Sequence, residues 1–499
     1  KIVFSGGANE VGASCYLVQI DGRNILLDCG IRMKGSDVLP DLRRIQELGG
    51  VDAILVSHAH LDHTGALPVL CREYPLARLF MTHATKALTR VLLYDSLKIM
   101  DRQEADIPLY ADNQVMAMLD QIVCYSPQHP FRPFPGEDLT VTFFSAGHIS
   151  GAVFVHIQGK EGTLLYTGDF SATDQRTVSR ATIPKLRPDV LIMESTYGQD
   201  LHSNREVEEQ RLVSAVAKVV ARGGKVLFPS FALGRAQELI LILQRAVTKK
   251  QLPPIPVYID GMVRAVNRVY QDNPNYLRAP LAKRIFRGKD IFYNDHIAPI
   301  NDREMRRQIL EQSDPLCIIA SSGMLKGGPS ALYAKALAGD ERNLIGITGF
   351  QDEESPGHEL LRLLDDSTSE RVLQLENAAV PLQCELGRFG LSAHADKSEL
   401  LGLVHRLAPR HLYLVHGDPS NILSLAATIQ KERHGRVYAP TNGSEYELEL
   451  NKPRKQVSQR PTLPSLQRDL GELTAESLGE LRDYLYETTG STVGYPVED

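Results

Sequence analysis

No stretch of the 499-residue chain approaches the roughly 18 to 20 consecutive apolar residues that a membrane span needs. No membrane partner is therefore expected, and Lys1-Ile2-Val3-Phe4 reads as the start of a strand rather than a basic leader before a signal core. The six cysteines, Cys15, Cys29, Cys71, Cys124, Cys317 and Cys384, form no CxxC pair and fall mostly inside apolar runs. That scatter excludes a disulfide framework and reads as the reduced core thiols of a cytoplasmic protein. Positive charge is not in excess, since 55 Lys and Arg face 61 Asp and Glu for a net charge of −6. A broadly basic nucleic-acid binder is excluded, and a polyanionic substrate would have to be drawn by a local cleft or by metal ions. The Gly6-Gly7 pair after the opening strand is not a GxGxxG pattern, so no dinucleotide site is expected. What remains is a chain 43% hydrophobic and 23% charged, as ordinary globular proteins are, and long enough for two or more domains.

Against these absences stands His58-Ala59-His60-Leu61-Asp62-His63, directly after the apolar run Ala53-Ile54-Leu55-Val56. An uninterrupted apolar run suits a strand covered on both faces, which places the ligand-type residues in the loop at its C-terminal end. A lone histidine is ordinarily a satisfied core or surface residue. Three imidazoles and a carboxylate in six residues are the nitrogen and oxygen donors that hold divalent metals. Side chains alternate along an extended segment, so His58 and His60 can grip one ion while Asp62 and His63 serve a second. A carboxylate bridging both is expected, and Asp169 is the candidate.

The design repeats. A hairpin is expected at 14–20 and 24–28 around Asp21-Gly22, ending on Asp28. Val141-Thr142-Phe143-Phe144 leads into Gly147-His148, Thr163-Leu164-Leu165-Tyr166-Thr167 into Gly168-Asp169, and Val190-Leu191-Ile192-Met193 into Glu194. From about 200 the pattern changes. Leu212, Val216, Val219 and Val220 mark a helical face, Gly223-Gly224 stops it, and strands are expected at 225–229, 257–259, 316–320 and 344–348. Such alternation argues a second, parallel sheet of βαβ units. Leu412-Tyr413-Leu414-Val415 then delivers His416 at another strand end. Past 452 the chain is polar and proline-bearing, as linkers are, with a short tail helix expected from Leu478, Leu481 and Leu485.

The string from His58 to His63, with Gly147-His148 and Thr167-Gly168-Asp169, resembles the metallo-β-lactamase fold. Glu194 in Glu-Ser-Thr-Tyr-Gly, His394 in Ser392-Ala393-His394-Ala395-Asp396 and His416 in Val-His-Gly-Asp are similar to the further motifs of its β-CASP branch of nucleic-acid nucleases. Gly6 to Ser14, Gly234-Arg235-Ala236-Gln237-Glu238 and Ser321-Ser322-Gly323-Met324-Leu325 resemble bacterial and archaeal relatives of the pre-mRNA cleavage endonuclease. The resemblance covers about residues 1 to 450. It implies an α/β architecture, an αββα sandwich with an inserted β-CASP domain built on a parallel βαβ sheet. The expected segments are 1–199 and 356–452 for the sandwich, 200–355 for the insert and 453–499 for linker and tail.

Carried over by position, the resemblance implies one metal on His58, His60 and His148 and another on Asp62, His63 and His416, with Asp169 bridging. Two Zn2+ are the implied cofactors, with Mn2+ as alternative. His394 would be the general acid and Glu194 the carboxylate that orients it, a pairing suited to a proton donor near neutrality. Asp62 and Asp169 would join the catalytic group, and Asp28 would support the histidine loop from behind. Arg235 can clamp a backbone phosphate, and the hydroxyls of Ser321 and Ser322 suit a phosphate oxygen. The basic run Lys283 to Lys289 reads as a solvated helical face. The implied substrate is single-stranded RNA, with a homodimer as an open assembly. A DNA nuclease of the same branch and a small-molecule metallo-hydrolase are the alternatives. His416 argues against the first, where valine is usual at that position. The insert and the pair His394 and His416 argue against the second.

Overall fold

Apolar runs without polar alternation become strands covered on both faces, and inner strands of the first domain's two sheets, such as Ile2–Gly6, Ala53–Leu55 and Val190–Glu194, are built from them. In the computed structural model, residues 1–450 are described apart from 33, 34, 36, 102–107, 366–370, 376, 377, 433 and 434. The expected linker and tail helix, with Leu478, Leu481 and Leu485, lie outside the described residues. The hairpin forms as expected, with Cys15–Ile20 antiparallel to Arg23–Leu27. Asp21 and Gly22 turn it at φ of 50° and 73°, the mirror-image turn that matches strand twist.

The first sheet runs in the order Glu445–Tyr446, Ile2–Gly6, Cys15–Ile20, Arg23–Leu27, Ala53–Leu55, Arg78–Met81, Ile122–Cys124. The second runs Arg436–Tyr438, His411–Val415, Val190–Glu194, Thr163–Tyr166, Val153–Gln158, Thr140–Ser145. Alternation along each strand assigns its two faces. Phe4, Tyr16 and Leu55 of the first sheet share a core with Phe143, Ile192 and Tyr413 of the second. Leu17, Ile54 and Leu79 face the other way, onto helices Leu67–Glu73, His83–Met100 and Asp112–Gln121. Leu191, Met193 and Leu414 face outward to helices Lys397–Leu407 and Pro419–Glu432. Helix, sheet, sheet, helix is the αββα sandwich expected.

The third sheet is parallel throughout, in the order Ile297–Pro299, Val257–Asp260, Leu316–Ala320, Lys225–Pro229, Leu344–Ile347, Glu385–Arg388. Four of these strands lie where alternation places them. The edge strand Glu385–Arg388 lies beyond residue 355, and its partly exposed Glu-Leu-Gly-Arg carries no apolar run to announce it. Val226 and Phe228 join the core on the sandwich side while Leu227 faces the opposite one. The sandwich and the insert thus share one continuous apolar core. Among the described residues no helix is long and apolar enough to cross a membrane.

Candidate metal centre

Thr163–Tyr166, Val190–Glu194 and His411–Val415 are neighbours in parallel register, so their C-terminal ends form a row. Asp169, Glu194 and His416 come from that row, and the loop after Ala53–Leu55 brings His58 to His63 against it. Two of the turns are conformationally demanding. His416 and Asp28 adopt left-handed φ of 50° and 57°, strain of the kind held at functional sites. At Gly168, φ is 49° and an added Cβ would lie 2.5 Å from Cβ of Ser57, so only glycine admits both the turn and the histidine loop.

The donor atoms converge in two sets that share one carboxylate. Nδ1 of His60 lies 3.1 Å from Nε2 of His58 and 3.2 Å from Nε2 of His148. Oδ2 of Asp169 is 3.4 and 3.8 Å from the Nε2 atoms of His58 and His148. Its other oxygen, Oδ1, is 3.4 and 3.6 Å from Nε2 of His63 and His416. Asp62 Oδ2 completes the second set at 3.9 and 3.7 Å from those same nitrogens. Two ligands about 2.1 Å from a tetrahedral ion are about 3.4 Å apart, which is the spacing seen in the first set.

The outer nitrogens decide which inner ones carry lone pairs. His148 Nδ1 is 2.9 Å from the carbonyl of Ala393, which can only accept, so that nitrogen carries the proton and Nε2 is bare. His63 Nδ1 likewise faces Oδ2 of Asp28 at 2.7 Å. The Ser57 hydroxyl donates to Asp28 Oδ2 at 2.6 Å and accepts from Nδ1 of His58 at 3.0 Å, leaving His58 Nε2 bare as well. Nδ1 of His60 faces both bare nitrogens, at 3.1 and 3.2 Å, and carries at most one proton to donate, so at least one of the two contacts sets lone pair against lone pair unless a cation lies between them. His63 Nε2 and Asp169 Oδ1 are moreover buried without hydrogen-bond partners. The donor set fits two divalent cations on these grounds.

Electrostatics agree. Burial, then the charge of neighbouring imidazoles, pushes His58 below its ordinary value, His60 to about 3 and His148 well down. Neutral imidazole is the form that binds metal. Burial also pulls on His63, but Asp169, Asp62 and Asp28 together raise it well above its ordinary value. A pocket that holds a proton so firmly favours a cation in the same place. Burial opposes the charge on Asp169, yet the surrounding imidazoles hold its carboxyl well below the usual range.

Beside the first set, Nδ1 of His394 meets Oε2 of Glu194 at 2.8 Å, and Nε2 reaches within 4.0 Å of Asp169 Oδ2. Glu194 is fixed in turn by the amide of Phe170 at 2.7 Å and the hydroxyl of Thr196 at 2.6 Å. Asp28 stands behind the histidines, accepting from Ser57, His63 and the Tyr166 hydroxyl. Arg235 opens helix Arg235–Thr248, and its Nη1 is buried without a partner. Burial, then Arg205, lowers the Arg235 guanidinium to about 10. Ser321 and Ser322 are not drawn into the cluster. The amide of Met262 donates to Ser321 Oγ at 3.3 Å, and Ser322 Oγ donates to the carbonyl of Lys326 at 3.2 Å. Ser57, Tyr166 and Ser14, whose Oγ is 3.0 Å from His416 Nδ1, were not singled out by sequence. A hydroxyl beside or within an apolar run carries no signal of which strand it will face.

The sandwich and this donor set define a metal-dependent hydrolase of the metallo-β-lactamase class. Residues 8–230 match the metallo-beta-lactamase superfamily, 236–360 the Beta-Casp domain and 379–440 the Zn-dependent metallo-hydrolase RNA specificity domain. The chain belongs to the β-CASP branch of that superfamily. It is 32% identical to transcription termination factor FttA of Methanocaldococcus jannaschii over 457 residues, 89% of this chain and 70% of that protein. It is 31% identical to Integrator complex subunit 11 of Gallus gallus over 89% of this chain and 73% of that one. With cleavage and polyadenylation specificity factor 73 of Drosophila melanogaster it shares 34% over 86% of this chain and 61% of that protein. A crystal structure of a protein of unknown function from Enterococcus faecalis V583 shares the fold, at TM-score 0.53 and 14% identity over 89% of this chain and 98% of that one.

Proposed function

We propose that the protein is a zinc-dependent ribonuclease that hydrolyses single-stranded RNA to 5′-phosphate and 3′-hydroxyl ends. The observation that carries this reading is an imidazole, His394, held by a buried carboxylate 4.0 Å from the carboxylate shared by both donor sets. A proton donor so placed serves an alkoxide leaving group. Segment 379–440, matched by a family described by its RNA specificity, contains both His394 and His416, and one relative is named for cleavage and polyadenylation. Nitrogen-rich donors at near-tetrahedral spacing suit zinc, with manganese as the alternative.

His58, His60 and His148 would hold one ion, Asp62, His63 and His416 the other, with Asp169 between them. Bound there, the ions supply Lewis acidity that makes water a nucleophile at neutral pH and offsets charge on the phosphoryl oxygens. The chain's own residues do the rest. A water adds its oxygen to phosphorus and gives up a proton to solvent, the P–O3′ bond breaks with its electron pair going to O3′, His394 Nε2–H supplies the proton to O3′, and the imidazole regains one from solvent. Glu194 fixes the tautomer, with Nδ1–H facing its carboxylate. Arg235, whose Nη1 lacks a partner, is assigned to a backbone phosphate. The test is digestion of one RNA and the DNA strand of the same sequence, with zinc and with chelator. Zinc-dependent cutting of RNA alone is expected, whereas equal cutting of DNA would overturn the RNA assignment.

A further inference from the structure

The segment carrying His394 follows the strand Glu385–Arg388 and precedes the helix Lys397–Leu407, and it belongs to neither. Its backbone is held instead by side chains from elsewhere, at three successive carbonyls. Arg205 Nη1 donates to Ser392 O at 3.2 Å, His148 Nδ1 to Ala393 O at 2.9 Å, and His202 Nε2 lies 3.2 Å from His394 O. A carbonyl only accepts, so His202 carries its proton on Nε2. His202 is tied a second time, its backbone amide donating to Asp396 Oδ2 at 3.0 Å. Asp396 in turn caps the helix that follows, accepting from Glu399 N at 2.9 Å. The Tyr197 ring packs edge-on against His202 at 4.6 Å between centroids and lies 6.1 Å from His394.

We infer that His202 is a positioning residue for the proton donor, an inference that rests on the ribonuclease reading above. Glu194 sets the rotation of the His394 ring. The bond to its carbonyl sets where the ring begins. One histidine in the donor set and one in the loop leading to the insert thus grip adjacent peptide units on either side of the donor's Cα. A donor displaced by about 1 Å loses on the order of 100-fold in rate, and nothing in that loss involves metal binding. Arg205 shares the task but also pairs with the buried Glu238, so its removal would strand a charge, and His202 is the residue to test.

The experiment compares RNA having an ordinary 3′ oxygen at the cleavage site with RNA having sulfur in that bridging position. A thiolate leaves without a proton, so the sulfur substrate reports everything except the donor. Wild type, His394→Ala, His202→Ala and His202→Gln are compared as full chains with measured zinc content. For His202→Ala we expect kcat on the oxygen substrate to fall by about 10- to 100-fold. KM and zinc content should hold within about twofold, and the sulfur substrate should be cut within about threefold of wild type. His202→Gln, whose amide can donate to the same carbonyl, should recover most of the loss. Equal loss on both substrates, or no loss on either, overturns the inference. His394→Ala separates the two levels: if it too loses both substrates equally, the donor role itself fails. If His394→Ala spares sulfur while His202→Ala does not, only the positioning role fails.

Discussion

Glu194 Oε2 and His394 Nδ1 meet at 2.8 Å across 200 residues of sequence, and the ring's other nitrogen faces the carboxylate shared by both donor sets. Burial pulls the imidazole down, but Glu194 and then Asp169 raise it to about 9. A proton donor works while protonated, so activity is present below its pKa and lost as pH rises through it. Glu194→Gln removes the nearest anion, and the alkaline limb of the kcat profile should move acidward by about one unit or more. An unmoved limb assigns the titration to another group.

His394→Ala should leave zinc content unchanged, because none of the donor-set nitrogens depends on its side chain. Cleavage should fall by about 10²- to 10⁴-fold, the usual worth of a general acid. Metal analysis and turnover on one preparation check both halves. Unchanged turnover removes His394 from the mechanism.

Asp169→Ala deletes the one carboxylate that, among the described residues, reaches both sets. Bound zinc and activity should fall together, and added zinc should restore neither fully. Two ions still bound per chain would refute the shared-carboxylate assignment.

Asp28→Asn keeps the shape behind the histidine loop but replaces an acceptor of four protons with an amide. His63 then loses the anion that fixes Nδ1–H, and zinc affinity should weaken by about 10- to 100-fold, as measured when the outer partner of a ligating histidine is removed. Competitive titration with a chelator reads this directly. An affinity within twofold of wild type would reduce Asp28 to a packing role.

The insert has its own buried anion. Asp260 accepts from Arg306 Nε at 2.6 Å and Nη2 at 3.0 Å, and from the Tyr333 hydroxyl at 2.7 Å. Burial opposes that charge, but Arg306 and Tyr333 hold the carboxyl below its ordinary value of 3.8. Its contribution to stability is therefore present above about pH 4 and lost as pH falls further. Asp260→Ala should cost about 2 to 3 kcal/mol at neutral pH, with the difference from wild type shrinking in acid. Denaturant melts at both pH values check it. A difference that grows in acid contradicts the assignment.

Sequence exposed the parts of this site that follow strands. His58 to His63, His148, Asp169, Glu194 and His416 each succeed an apolar run, and the structure gathers all of them with His394. Neighbours that face the site from inside a run were invisible, because Tyr166 is indistinguishable from its apolar companions until pairing decides its face. His202 was missed for another reason. Its contact is with a backbone carbonyl 192 residues away, and no residue type marks a carbonyl as needing a partner. The edge strand Glu385–Arg388 was equally silent, being half exposed and polar.

In the proposed mechanism water, and not the RNA's own 2′-hydroxyl, displaces the 3′ oxygen at a two-metal site. Cleavage of RNA by the zinc-loaded protein in ¹⁸O-labelled water tests it most directly. One labelled oxygen in the new 5′-phosphate, with 3′-hydroxyl ends, is the result the account predicts. Ends bearing 2′,3′-cyclic phosphate, or 5′ ends without label, would contradict it.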